Sequence, residues 1–275
     1  MSGELELGTQ RYDITRRCLL MGIINVTPDS FSDGGRFVSP EQALSQARYL
    51  MEQGADLLDI GGESTRPGAT PVGAKEEIAR VVPAIEAIRA AGISAPISID
   101  TQKARVAEAA LDAGADFVND VSALVADPEL GALIATRGVA VVLMHHRGSS
   151  QTMYERAHYE DVAEEVRDEL AERVEAALKL GIARERIILD PGIGFAKKAP
   201  QSWQLLDRLS QIVEMGFPVL VGTSRKSFLG EVFGDSAEQR ERGTQATSIA
   251  AAQRGARILR VHEPGAYRNL RLHAA

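Results

Sequence analysis

Residues 53–62 read QGADLLDIGG: a glycine, a small residue and an acid, then a short apolar run that ends in two more glycines. The chain repeats this rhythm, and the repetition decides the fold. AGISAPISIDT (91–101), AGADFVNDVS (113–122), RGVAVVLMHH (137–146), LGIARERIILDPG (180–192), MGFPVLVGTS (215–224) and RGARILRVHE (254–263) keep the same grammar, and LLMGIINV (19–26) opens the series. Gly54, Gly92, Gly114, Gly138, Gly181, Gly216 and Gly255 stand where helices end in a left-handed residue, which glycine supplies without a Cβ penalty. The runs after them are short, continuous and rich in Val, Ile and Leu, as parallel strands covered on both faces are.

Between the runs lie amphipathic stretches at helical period, over residues 40–53, 75–91, 103–113, 128–137, 160–180, 202–215 and 238–254. Ser39-Pro40-Glu41 and Asp127-Pro128-Glu129 are suitable helix starts. Strand and helix alternating in this way predict an α/β protein, a (β/α)8 barrel, with an open doubly wound sheet as the alternative. A doubly wound sheet usually has fewer strands and a glycine-rich first turn, which is absent. Residues 3–18 precede the first strand and are expected to cap the bottom of the barrel as a hairpin. No internal boundary is visible, so residues 1–275 are read as one domain.

The composition fits a soluble globular chain: 44% hydrophobic and 25% charged over 275 residues, long enough to bury a core without staples. The single cysteine, Cys18, excludes an intramolecular disulfide and fits a reducing compartment. Beside an apolar run it reads as a buried structural thiol. No apolar run approaches the roughly 20 residues of a membrane span, and nothing resembles a signal peptide, so a cytoplasmic protein is expected. A formal charge of −7 argues against nucleic acid or an anionic membrane as main partner. Small anions answer to local charge instead.

Asn25, Gly61, Gly62, Glu63, Asp100, Thr101, Asn119, Asp120, His145, His146, Asp190, Gly222, Thr223, Ser224, Arg260 and His262 leave the C-terminal ends of the runs. In a barrel those ends share the face where active sites are built. Helix capping accounts equally well for Thr101 or Ser122. It does not account for Asp100, Asn119 and Asp190, which lie on the strands themselves. These three offer acceptors and one amide, a set suited to a flat, nitrogen-rich heterocycle, with Lys226 to reach a ring carbonyl or nitrogen. Arg66, Arg225, Lys226, Arg260 and His262 form an anion-seeking group. Asn25 and Asp33 suit Mg2+ bridging a diphosphate. His145, His146 and His262 lack the spacing of a zinc site, and no nucleophile–base pair stands out. NVTPDSFSDGGRF (25–37) and GGESTRPGATPVG (61–73) are long loops on the same face, expected to act as lids, with the glycine pair 61–62 as a hinge.

The sequence resembles the bacterial dihydropteroate synthase family. MGIINVTPDSFSDGG (21–35), DIGGESTRPGA (59–69), ISIDT (97–101), VNDVS (118–122), ILDPGIGF (188–195), GTSRKSFLG (222–230) and RVHE (260–263) stand in that family's order over nearly the whole chain. The resemblance implies a folate-pathway transferase on a TIM barrel, joining 4-aminobenzoate to the hydroxymethyl carbon of a dihydropterin and displacing pyrophosphate with Mg2+. It implies that Asp100, Asn119, Asp190 and Lys226 hold the pterin, and that Asn25 and Asp33 meet the metal. Thr65, Arg66, Arg260 and His262 would line the diphosphate and aminobenzoate side, with Ser227, Phe31 and Pro67 shaping the aminobenzoate pocket. Asp100, Lys226, Arg260 and His262 are the residues expected to act in catalysis. The family is commonly dimeric, and mimics of 4-aminobenzoate such as sulfonamides are expected to compete. Two departures appear: Met144-His145-His146-Arg147 replaces the usual single histidine after the fifth strand, so a wall-forming role is expected there, and the tail after His262 is short. Two other readings share the scaffold: a pterin-binding methyltransferase using methyltetrahydrofolate, and a non-catalytic pterin-binding homologue. The methyltransferase would need neither STRPG nor SRKS, and a silent homologue would be expected to have lost one of the motifs.

Overall fold

Each apolar run of the sequence forms a strand, and all seven helix-ending glycines take positive φ, from 64° at Gly138 to 113° at Gly114. The structure, a computed structural model, describes residues 3–27, 39–64, 68–149, 151–267 and 270. In chain order the elements are β1 (Glu4–Leu7), β2 (Gln10–Asp13), β3 (Leu19–Asn25), α1 (Pro40–Glu52), β4 (Leu57–Gly61), α2 (Ala74–Ala90), β5 (Ile97–Asp100), α3 (Ala104–Asp112), β6 (Phe117–Asp120) and α4 (Pro128–Arg137). They continue with β7 (Ala140–Met144), α5 (Val162–Lys179), β8 (Ile187–Asp190), α6 (Ala199–Asp207), α7 (Ser210–Val213), β9 (Leu220–Val221), α8 (Gly230–Phe233), α9 (Ala237–Gln253) and β10 (Ile258–Val261).

Eight parallel strands lie in the order β8-β7-β6-β5-β4-β3-β10-β9. A parallel bridge between Leu189 and Val219 joins the two ends and closes the barrel. Alternation along each strand then sorts the side chains. Leu20, Leu58, Val118, Val141, Leu189 and Leu259 point outward and pack under the helices. Leu19, Met21, Leu57, Phe117, Ala140, Val142, Ile188, Leu220 and Ile258 point inward and fill the lower barrel. One residue pair further along, the inward positions of β4, β6, β8 and β10 become polar, with Asp59, Asn119, Asp190 and Arg260, while β3 and β7 keep Ile23 and Met144 there.

The N-terminal hairpin β1–β2 closes the bottom as expected. Leu5, Leu7 and Ile14 are fully buried in the same cluster as the lower-barrel residues. Helix starts follow their sequence signals: Ser39 and Gln42 form a reciprocal cap at α1, and the Asp127 carboxylate accepts from the Glu129 amide at α4. The stretch 202–215 differs from expectation. It is two helices, α6 and α7, because the chain departs from helical backbone at Arg208 (φ −99°, ψ 23°). Arg208 there reaches Asp161, 2.6 Å away, and its neighbour Asp207 pairs with Arg254 at 2.9 Å, so tertiary ion pairs override the local period. Among the described residues no helix is long and apolar enough to cross a membrane. Cys18 is buried, and burial raises its thiol to about 11, in keeping with a structural role.

Candidate functional site

The upper barrel is built by the strand positions directly above the apolar plug. Register places Ile23 beside Asp59, Asp59 beside Ser98, Gly61 beside Asp100, Asp100 beside Asn119, and Met144 beside Asp190. Arg260 on β10, separated from β4 by β3 alone, reaches over into this layer. Its Nε donates to Asp59 Oδ2 at 2.5 Å and its Nη2 to Asp100 Oδ2 at 2.9 Å. Asp59 is fully buried and also accepts from Ser98 Oγ and, at 3.3 Å, from the Asn119 amide. A buried charge must be paired and hydrogen-bonded to be tolerated, and Asp59 is.

Asp100, Asn119, Asp190, Lys226 and Arg260 line one cavity with Ile23, Met144, Phe195, Gly222 and Ser224. It is a narrow cleft, with about 40 Å3 of room for water-sized molecules and the rest of its space open at the mouth. A wider groove on the outer wall, lined by Tyr159, Asp161, Glu164 and Glu165, lies off the strand ends. Two of its carboxylates are already paired, Asp161 with Arg208 and Glu165 with Arg147. The chemistry belongs inside the barrel.

Burial and the neighbouring Asp59 push the Asp100 carboxyl up to about 7, although Arg260 opposes the shift. Burial also raises Asp190, against Lys226 and the Gly192 amide, which donates to Asp190 Oδ1 at 2.7 Å. Lys226 is lowered to about 7 by the same burial, with Asp190 opposing and Arg260 adding to it. Its ammonium donates to the Ile193 carbonyl and lies 4.0 Å from the centroid of the Phe195 ring. A carboxyl and an amine near neutrality, beside a second carboxyl that burial raises, mark a place built to exchange water for a ligand that supplies N–H donors and a carbonyl.

Of the remaining expected residues, the structure describes His262, Asn25 and Ser227. His262 follows β10, its Nδ1 2.8 Å from Ser224 Oγ. Ser224 Oγ also accepts from the His262 amide at 3.3 Å. Asn25 is half-buried at the end of β3, and Ser227 is exposed at the start of a short turn after Lys226. Phe31, Asp33, Thr65, Arg66 and Pro67 lie outside the described residues. Asp120, Thr101 and Ser122 serve local structure: Asp120 accepts from the Ser122 and Leu124 amides, and Thr101 from the Lys103 amide. His145 is buried against Glu169, and His146 sets its ring edge-on to Phe195 at 5.9 Å, both wall residues as expected. Gly62, one of the pair expected to hinge, also has a packing reason to be glycine. Neither Gly61 nor Gly62 has positive φ, and a Cβ at Gly62 would meet Val81 at 2.8 Å and Glu77 at 3.0 Å.

The sequence reading missed Asp59, Phe195 and Lys197. For Asp59 a signal existed. Gly54-Ala55-Asp56 and Gly114-Ala115-Asp116 are the same step before two strands, and both aspartates accept from an amide at the start of the preceding strand, Leu20 and Ile97. Three residues on from them stand Asp59 and Asn119, which touch across β5.

A family model described as pterin binding enzyme matches residues 21–262. Over 261 residues the chain is 48% identical to the dihydropteroate synthase of Synechocystis sp., covering 94% of this chain and 90% of that one. The dihydropteroate synthase of Xanthomonas albilineans, solved with 4-aminobenzoic acid, superposes with a TM-score of 0.89 at 46% identity, covering 97% of this chain and 94% of that one. The same enzyme solved with 7,8-dihydropteroate gives 0.85 at 44% identity, covering 96% and 94%.

Proposed function

The chain belongs to the pterin-binding enzyme family, and from that premise we infer that it is a dihydropteroate synthase, a transferase of folate biosynthesis. It condenses (7,8-dihydropterin-6-yl)methyl diphosphate with 4-aminobenzoate to give 7,8-dihydropteroate and pyrophosphate. The observation that carries the reading is the convergence of Asp100, Asn119, Asp190 and Lys226 on one cavity, with Arg260 at its wall. Three side-chain acceptors meet the amino and ring N–H groups of a pterin, and Lys226 donates to its carbonyl or ring nitrogen. Burial leaves the carboxylates short of hydration, and the ligand's donors replace it.

The reaction follows from charge. As the C–O bond stretches, positive charge grows on the pterin methylene and negative charge on the departing diphosphate. Asp100 and Asp190 face the first. Arg260 spends two of its N–H groups on Asp59 and Asp100, so the rest of its guanidinium serves the second together with the His262 imidazole. The substitution is dissociative: the C–O bond breaks first, pyrophosphate leaving with its electron pair, and the aromatic amine then attacks the methylene carbon to form the C–N bond. The amine's proton passes to solvent.

Mg2+, when bound, neutralises charge on the diphosphate. Asn25, a hard oxygen donor half-buried at the barrel mouth, fits a cation that takes its other ligands from phosphate and water. Asp33 is the second candidate, outside the described residues. Thr65, Arg66, Pro67, Phe31 and Ser227 are assigned to the aminobenzoate side, where sulfonamides compete. The reading includes a cytoplasmic homodimer whose partners are these small molecules.

Pyrophosphate release by the purified protein tests the function. Release that requires both 4-aminobenzoate and Mg2+, with dihydropteroate formed, is expected. Pterin binding without product, or methyl transfer from methyltetrahydrofolate, overturns it.

A further inference from the structure

Lys197 is 2% exposed, outside the substrate cavity, yet its Nζ has three partners: Gly192 O at 3.1 Å, Phe195 O at 2.9 Å and His145 Nδ1 at 2.9 Å. The proton count around it is fixed by the far side of His145. There Nε2 lies 3.0 Å from Glu169, a carboxylate that the His145 and Arg147 hydrogen bonds, against burial, hold at about 2. Nε2 therefore donates and Nδ1 accepts. Two carbonyls and an imidazole lone pair then call for three N–H donors, which only the ammonium form has. Burial pushes Lys197 well below the usual lysine range, and this acceptor cage keeps the proton in place.

The segment it grips is unusual. Gly192, Gly194 and Ala196 all have positive φ (64°, 80° and 47°), and a Cβ at Gly192 would run into the His145 carbonyl oxygen. The turn has no regular ladder, and its carbonyls are held by side chains: Gly192 and Phe195 by Lys197, Ile193 by Lys226, Ala196 by Tyr159 Oη at 3.0 Å. From the same turn the Gly192 amide binds Asp190, and Phe195 lies beneath Lys226.

We propose that Lys197 is a positioning residue for the pterin site: oriented by His145 and Glu169, its ammonium holds the 191–196 turn in the conformation that places Asp190, Phe195 and Lys226. The assignment rests on the pterin reading above. The turn contacts Asp190 and Lys226, both assigned to the pterin grip, so pterin affinity is the constant expected to move most.

The test is Lys197→Met, which keeps the length and removes the donors. Dihydropterin affinity by calorimetry is expected to fall roughly tenfold or more, with the KM for 4-aminobenzoate within about twofold of wild type. Amide exchange across residues 190–198 is expected to quicken. Unchanged pterin affinity overturns the assignment, and so does an equal fall in every constant, the mark of general destabilisation. If Lys197→Met does not fold, Glu169→Gln at the solvent end of the chain decides, with a roughly threefold loss of pterin affinity expected and no change overturning. A wild-type enzyme that binds no dihydropterin sinks the functional reading itself, which the same calorimetry shows.

Discussion

Asp59 touches no open space, and still its charge sets the electrostatics of the cavity above it. It is the partner that lets Arg260 sit inside the barrel, and its proximity helps to raise Asp100. Removing one member of a buried pair costs about 3–5 kcal/mol, so Asp59→Ala is expected to lower thermal stability by that order, measured by denaturant unfolding. Asp59→Asn keeps the shape and is expected to cut kcat/KM for the dihydropterin substrate by roughly 100-fold in steady-state assays. The pH profile follows from two opposite shifts. Asp100 must be ionised and rises in activity as pH passes about 7; Lys226 must be protonated and falls as pH passes about 7. The free-enzyme kcat/KM is therefore expected to be a bell centred near neutrality. Lys226→Arg, which holds its proton throughout, is expected to lose the alkaline limb. A flat profile from roughly pH 6 to 8.5 would refute this. Asp100, Asn119, Asp190 and Lys226 were legible because a polar residue at the end of an apolar run breaks its pattern. Asp59 was not, because within LLDIG one acid reads as a lapse in the strand until the barrel's alternation turns it inward. Lys197 was hidden by sequence proximity to Lys198, which is exposed; only the fold separates them.

At the scale of elements, glycines at helix ends were readable and their surroundings were not. Gly138 and Gly192 share a φ of 64°, yet a Cβ at Gly138 meets nothing within 4 Å while one at Gly192 strikes the His145 backbone. Gly138→Ala is expected to cost only the left-handed penalty of about 1–2 kcal/mol. Gly192→Ala adds a clash with main chain, which cannot rotate away, and is expected to exceed that cost and weaken pterin binding as well. Urea unfolding and ligand titration of the two variants make the comparison. The break between α6 and α7 escaped the periodicity because nothing local causes it; Asp207 and Arg208 are drawn to Arg254 and Asp161. The register of the strands was no easier to read, because runs apolar on both faces carry no alternation to set inward against outward.

For the whole molecule, structure and chemistry occupy opposite ends of one barrel. The hairpin residues Leu5, Leu7 and Ile14 plug the bottom, and the polar layer opens at the top. Leu7→Ala is expected to cost about 2–5 kcal/mol by the cavity it leaves. Turnover well below the melting temperature is expected to remain at wild-type level, which calorimetry and steady-state kinetics separate. The eightfold alternation made the barrel legible; its closure was less so, since β9 is two residues long and joins β8 through one bridge. The pairing of β3 with β10 sets Leu19 against Ile258, the first barrel strand against the last. On a ribosome adding roughly 5–20 residues per second, β3 waits on the order of 10–50 s for that partner with one edge unpaired. Until β10 emerges, Asp59 and Asp100 also have no Arg260. Biosynthesis thus completes the sheet and neutralises the site in a single late event, and a nascent chain stalled short of β10 has neither a closed wall nor a working cavity.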